Sequence, residues 1–83
     1  MKPITSKEQA AKNAERFELL RGDAKLTQKQ AAELIAEQTG RPCSMRTVRA
    51  WLNDPESSSW RPCPDWAVLA LETKILTLQL KQR

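Results

Sequence analysis

Residues 26–52 read LTQKQAAELIAEQTGRPCSMRTVRAWL, and this stretch decides the fold. Thr27 with Gln30 three residues on has the form of a capping box, which opens a helix from Gln28 to about Gln38. Ala31, Leu34 and Ile35 share one face of that helix, while Lys29, Glu33 and Glu37 point away. Thr39-Gly40-Arg41-Pro42 ends it, because glycine suits a left-handed cap and proline bars continuation. Ser44 is then an N-cap for a helix over Met45 to Asn53, closed by Asp54-Pro55. Val48, Trp51 and Leu52 make its buried stripe. Two capped helices joined by a turn form the centre of an all-α chain.

Working outward, Ser6 and Gln9 form another capping pattern, which opens a first helix running to about Arg21. Ala10, Ala14, Phe17 and Leu20 give it an apolar face, and Gly22-Asp23 supplies the stop. Met1 to Thr5 reads as a frayed, flexible arm. On the other side, residues 54–64 form a connector that begins with the polar run Glu56 to Ser59. Trp60-Arg61-Pro62-Cys63-Pro64 must be extended, since two prolines flanking one residue forbid a helix. Arg-Pro-Cys occurs at both 41–43 and 61–63, a coincidence given that the flanking residues share no pattern. Asp65 can cap a last helix over Trp66 to about Gln82. The expected architecture is a small helix-turn-helix domain of four to five helices over 6–83, with the motif at about 27–53 and a dimerisation helix at 65–83.

That last helix carries two apolar stripes. Trp66, Leu69, Leu76 and Leu80 follow a three-four spacing broken only by Thr73, and Val68, Leu71, Ile75 and Leu78 repeat it two residues out of phase. An offset of two turns a helix by about 200°, so the stripes lie nearly back to back. One can cover the core of a single small domain. The other has nowhere to go in a monomer, and each buried leucine is worth roughly 1.5–3 kcal/mol. A symmetric dimer solves this. The interface is assigned to Val68, Leu71, Ile75 and Leu78, although periodicity alone does not say which stripe turns inward.

Composition bounds what such a chain can do. Its 83 residues allow one domain. There is no histidine, so the usual general base and the commonest metal ligand are missing, and two glycines leave no phosphate-cradling loop. Enzyme chemistry is close to excluded, and neither a cofactor nor a small-molecule ligand is expected. Cys43 and Cys63 cannot assemble a zinc site alone. The polar start lacks the apolar core of a signal peptide, and no apolar run reaches the roughly 18 residues needed to span a bilayer. A cytoplasmic protein with reduced thiols is expected, with no membrane partner.

The net charge of +4 is unevenly placed: +2 over residues 1–25, +2 over 26–53 and zero from 54 onward. No acidic residue lies between Arg41 and Asn53. Removing the buried Val48, Trp51 and Leu52 from the third helix leaves Met45, Arg46, Arg49, Ala50 and Asn53 on its outer side. Arginine's fork suits guanine O6 and N7, and a carboxylate here would repel phosphate. The start of the second helix adds Gln28 and Lys29, where free backbone N–H groups and the positive helix end favour a phosphate. Double-stranded DNA is the expected partner, contacted by Gln28, Lys29, Ser44, Met45, Arg46, Arg49 and Asn53.

Residues 26–52 resemble the helix-turn-helix of phage repressors, whose second helix enters the major groove. Ser44, Arg46, Arg49 and Leu52, then Trp60-Arg61-Pro62-Cys63-Pro64, then Ala70-Leu71-Glu72, are similar to a pattern in the anti-CRISPR-associated (Aca) repressors. These are small phage-encoded regulators, and the resemblance covers roughly residues 26–72. It implies a homodimer that binds an inverted repeat in its own operon's promoter and represses an anti-CRISPR gene in a bacterial host. It also implies DNA contacts from Gln28, Lys29 and Arg46 and a dimer helix after Pro64. The turn between the helices is longer here than in the compact motif, and the first helix diverges. Two other roles share the same features: a protein-binding module that docks a partner on the last helix, and the antitoxin of a toxin–antitoxin pair.

Overall fold

A computed structural model describes residues 6–81 and contains four α-helices and no strand among them. The arm at 1–5 and the last two residues lie outside the described range. In chain order the helices are α1 (Lys7–Asp23), α2 (Gln28–Thr39), α3 (Met45–Leu52) and α4 (Asp65–Lys81). The protein is a small all-α domain. None of these helices is long and apolar enough to cross a membrane.

The helix starts follow their capping residues. Ser6 Oγ accepts from the Gln9 N–H at 3.0 Å, and Ser44 Oγ accepts from the Thr47 N–H at 3.3 Å. At α2 both halves of the capping box form, with Thr27 Oγ1 and Gln30 Oε1 each accepting the other's backbone N–H. Gly40 ends α2 at φ +74°, and its N–H donates to the Ala36 carbonyl at 2.9 Å. The extra length between α2 and α3 is taken up by α2 itself, which runs to Thr39, and by residues 40–44.

The first stop differs from the sequence expectation. Gly22 stays helical, and the left-handed residue is Lys25 at φ 58°. Lys25 N–H donates to the Gly22 carbonyl and Leu26 N–H to Arg21's, the two bonds of a Schellman ending. Arg21 Nη1 holds the Leu26 carbonyl at 2.8 Å, which fixes the chain after the turn. Asp65 also differs: it stands inside the first turn of α4, and its Oδ1 accepts from Asn13 Nδ2 at 2.7 Å.

All four helices feed one core of Phe17, Ile35, Val48, Trp51, Ala67 and Leu71, with Cys63 of the connector fully buried among them. Trp51 meets Phe17 and Trp66 edge to face, with centroids 6.0 and 5.9 Å apart. Helix α4 packs on α1 and α2, and α3 packs on the same two. Asn13 meets Asp65 and Arg16 pairs with Glu72, so α1 and α4 run side by side in the same direction.

The stripe assigned to the dimer interface is corrected by this packing. Val68, Leu71 and Ile75 are buried in the chain's own core, and Leu78 is half-buried. The stripe left in solvent is the other one, with Trp66 41%, Leu69 61%, Leu76 54% and Leu80 69% exposed. The alanines explain the choice. Ala67 and Ala70 flank Leu71 on the inward face and are buried with it, letting α4 approach α1 and α2 closely. Leu69 and Leu76, on the far side, stay in solvent, whereas Trp66 lies at the boundary and packs its ring on Trp51.

Candidate nucleic-acid interface

Helix α3 divides cleanly into two faces. Val48 and Trp51 are buried, while Ser44, Met45, Arg46, Thr47, Arg49 and Asn53 are exposed. Along the exposed face runs an open groove of about 560 Å³, lined by Arg46, Thr47, Arg49, Ala50, Asn53, Ser59 and Arg61. One wall is α3, and the other is the connector. Three guanidinium groups line this groove, and no carboxylate does.

One main-chain bond ties the connector to α3. Ala50 lies in the last turn of α3, where its carbonyl has no partner within the helix. The Arg61 N–H donates to it at 3.0 Å. Pro62 could not do so, having no N–H. Asn53 closes the other end: its Nδ2 donates to Ser59 Oγ at 2.8 Å, and Ser57 and Ser59 hydroxyls lie 3.0 Å apart. The serine run is therefore a hydrogen-bonded loop folded against the end of α3.

The groove gathers three arginines that lack carboxylate partners among the described residues, as Lys12, Lys25, Lys29 and Arg41 do at scattered positions. Elsewhere Arg16 pairs with Glu72, Arg21 with Glu18, and Lys74 with Glu37. Glu18 also raises the Arg21 pKa by hydrogen bonding to its guanidinium. Arg46, Arg49 and Arg61 make no ion pair among the described residues. The connector's own acids are turned elsewhere. Asp54 Oδ1 accepts from the Glu56 N–H at 2.9 Å, and Glu56 lies 3.9 Å from Lys7 Nζ. Uncompensated cations beside an exposed helix face are what a polyanion would meet.

Of the residues expected from the sequence, Arg46, Arg49 and Asn53 come together in the groove. Ser44 sits at the α3 N-cap and Met45 in its first turn, exposed but not part of the lining. Gln28 and Lys29 begin α2, half-buried and exposed respectively, and also stand apart from the groove. Arg61 and Ser59 were not expected. The available signal was that Arg61 is the only cation between Asn53 and Lys74 and sits in a segment that two prolines hold extended. Among the described residues no group of three or more His, Cys, Asp or Glu side chains gathers to hold a metal.

No family model, curated protein or solved structure matches this chain. The geometry of α3 and its groove therefore carries the functional argument.

Proposed function

We propose that the protein is a sequence-specific DNA-binding repressor that acts as a homodimer on an inverted repeat in its own operon's promoter. The observation that carries this reading is the groove of Arg46, Arg49 and Arg61 on the outer face of α3, free of carboxylates and of ion pairs among the described residues. A short capped helix standing on a second one, with its outer face cationic, suits insertion into a major groove. Arg46 lies in the first turn, where this motif meets base edges, and Arg49 follows about 4.5 Å along the axis. Lys29 and the free N–H groups of α2 suit a flanking phosphate.

Dimerisation rests on the exposed Trp66, Leu69, Leu76 and Leu80. Beside this face Glu72 is already committed to Arg16, and Arg41 stacks on the Trp66 ring, its guanidinium carbon 5.5 Å from the centroid. A two-fold dimer would present two copies of α3 and read an inverted repeat. The likeness to anti-CRISPR-associated repressors at Ser44, Arg46, Arg49 and the Trp-Arg-Pro-Cys-Pro segment supports the regulatory part, with an anti-CRISPR gene as the target and a phage or prophage as the source.

The test is selection of bound sequences from a random duplex pool. An enriched inverted repeat is expected, with half-sites about 34 Å apart centre to centre. A pool that emerges without any enriched sequence would overturn the reading.

A further inference from the structure

We propose that Arg61, on the connector, clamps a DNA phosphate beside the groove that α3 reads, so that the connector is a second DNA-binding element. This rests on the DNA-binding function proposed above and adds a contact that neither the recognition helix nor the start of α2 supplies.

Arg61 is held by its own loop. Its Nη1 donates to two carbonyls of its own loop, Trp60 at 2.7 Å and Ser58 at 3.2 Å. Those bonds occupy both Nη1 protons. The Nε and Nη2 protons have no protein acceptor among the described residues. What remains is the edge of the guanidinium that forms a two-pronged fork, the geometry that matches phosphate oxygens. The side chain is exposed, yet its loop bonds already restrict its rotamers, so less freedom is lost when a ligand binds.

Its position favours the backbone over base edges. The Arg61 N–H sits on the Ala50 carbonyl, beside the last turn of α3, whereas base edges are met by residues in the first turn. Groups flanking the far end of a groove-bound helix face the sugar–phosphate strand. Ser59 lines the same wall and its hydroxyl, already accepting from Asn53 Nδ2, keeps the loop in register with α3. Pro62 and the buried Cys63 fix the chain immediately after Arg61.

A structural role predicts something different. A cation near the C-terminal end of α3 would also favour that end of the helix dipole. Its removal would then change stability and leave the salt dependence of DNA binding untouched.

The experiment is titration of a mixed-sequence duplex pool with the full chain over a range of salt concentrations. Arg61→Ala is expected to bind about ten-fold more weakly and to lower the slope of log affinity against log salt by about 0.9, one phosphate's share of counterion release. Arg61→Lys keeps the charge and should keep the wild-type slope while losing part of the affinity, because the fork is gone. If wild type binds and Arg61→Ala keeps both its affinity and its slope, this proposal falls and the wider one stands. A wild-type protein that binds no duplex at any salt concentration overturns both.

Discussion

The Asn13 side chain on α1 donates both Nδ2 protons across the molecule, to the Cys63 carbonyl at 2.8 Å and to Asp65 Oδ1 at 2.7 Å. Its Oδ1 in turn accepts from Gln9 Nε2 at 3.1 Å. One nearly buried amide thus fastens the Pro-Cys-Pro segment and the start of α4 to α1, and so fixes where the connector lies against α3. The first carbonyl to accept a helical bond at the start of α4 is that of Pro64, from the Ala67 N–H, so the Cys63 carbonyl one residue earlier is left for the Asn13 side chain.

Removing that amide leaves a buried acceptor unsatisfied. Asn13→Ala is expected to destabilise the protein by about 1–3 kcal/mol, measured by urea unfolding. Asn13→Asp should cost more at neutral pH, since an ionised carboxylate has no proton to donate and faces Asp65. Equal stability of Asn13→Asp and wild type would mean the hydrogen bonds contribute nothing.

Burial pushes the Cys63 thiol up to about 12, from an ordinary 9.0, with Asp65 adding to the effect. Cys43, half-buried, is raised less far and by burial alone. A raised folded-state pKa gives stability that is complete below pH 9 and is lost as pH climbs from 9 towards 12. A single such thiol tilts stability by up to about 1.4 kcal/mol per pH unit across that window. Wild type should therefore lose stability above pH 9 more steeply than Cys63→Ala, and thiol reagents should label Cys43 before Cys63 in the native protein.

The two stripes of α4 should respond oppositely to substitution. Leu71→Ala opens the core and is expected to cost about 2–5 kcal/mol in unfolding. Leu69→Glu with Leu76→Glu should keep the helical fold by circular dichroism, remove any dependence of melting on protein concentration and shift sedimentation to the monomer. A dimer that survives the double substitution would exclude this face as its interface.

Arg46→Ala is expected to weaken binding to a selected operator by about 1–3 kcal/mol and to relax preference at one base pair. Lys29→Ala should instead weaken operator and mixed-sequence duplex alike and flatten the salt dependence. Gel-shift titrations of both variants against both duplexes separate the roles. Uniform weakening by Arg46→Ala would move it from reading bases to holding the backbone.

The linear chain already determined the helices. Thr27 with Gln30, Ser44 with Thr47, and Gly40 before Pro42 act through bonds within a few residues, so their effect is visible in order and spacing alone. The buried faces of α2 and α3 follow for the same reason, since a 3.6-residue period places Ile35, Val48 and Trp51 without reference to any other helix. Arg46, Arg49 and Asn53 were legible as the complement of that stripe.

Tertiary structure decided what depends on distant neighbours. Two equally apolar stripes on α4 cannot be ranked by periodicity. The small Ala67 and Ala70 broke the tie by admitting close approach to α1 and α2, which left Leu69 and Leu76 in solvent. The left-handed turn after α1 fell on Lys25 rather than Gly22, because the Arg21 and Gly22 carbonyls found their donors there. Arg61 joined the groove only because its N–H meets the Ala50 carbonyl, eleven positions back, after the connector has folded over the end of α3. Local rules act through short loops of chain, whereas these placements need contacts whose geometry no spacing encodes.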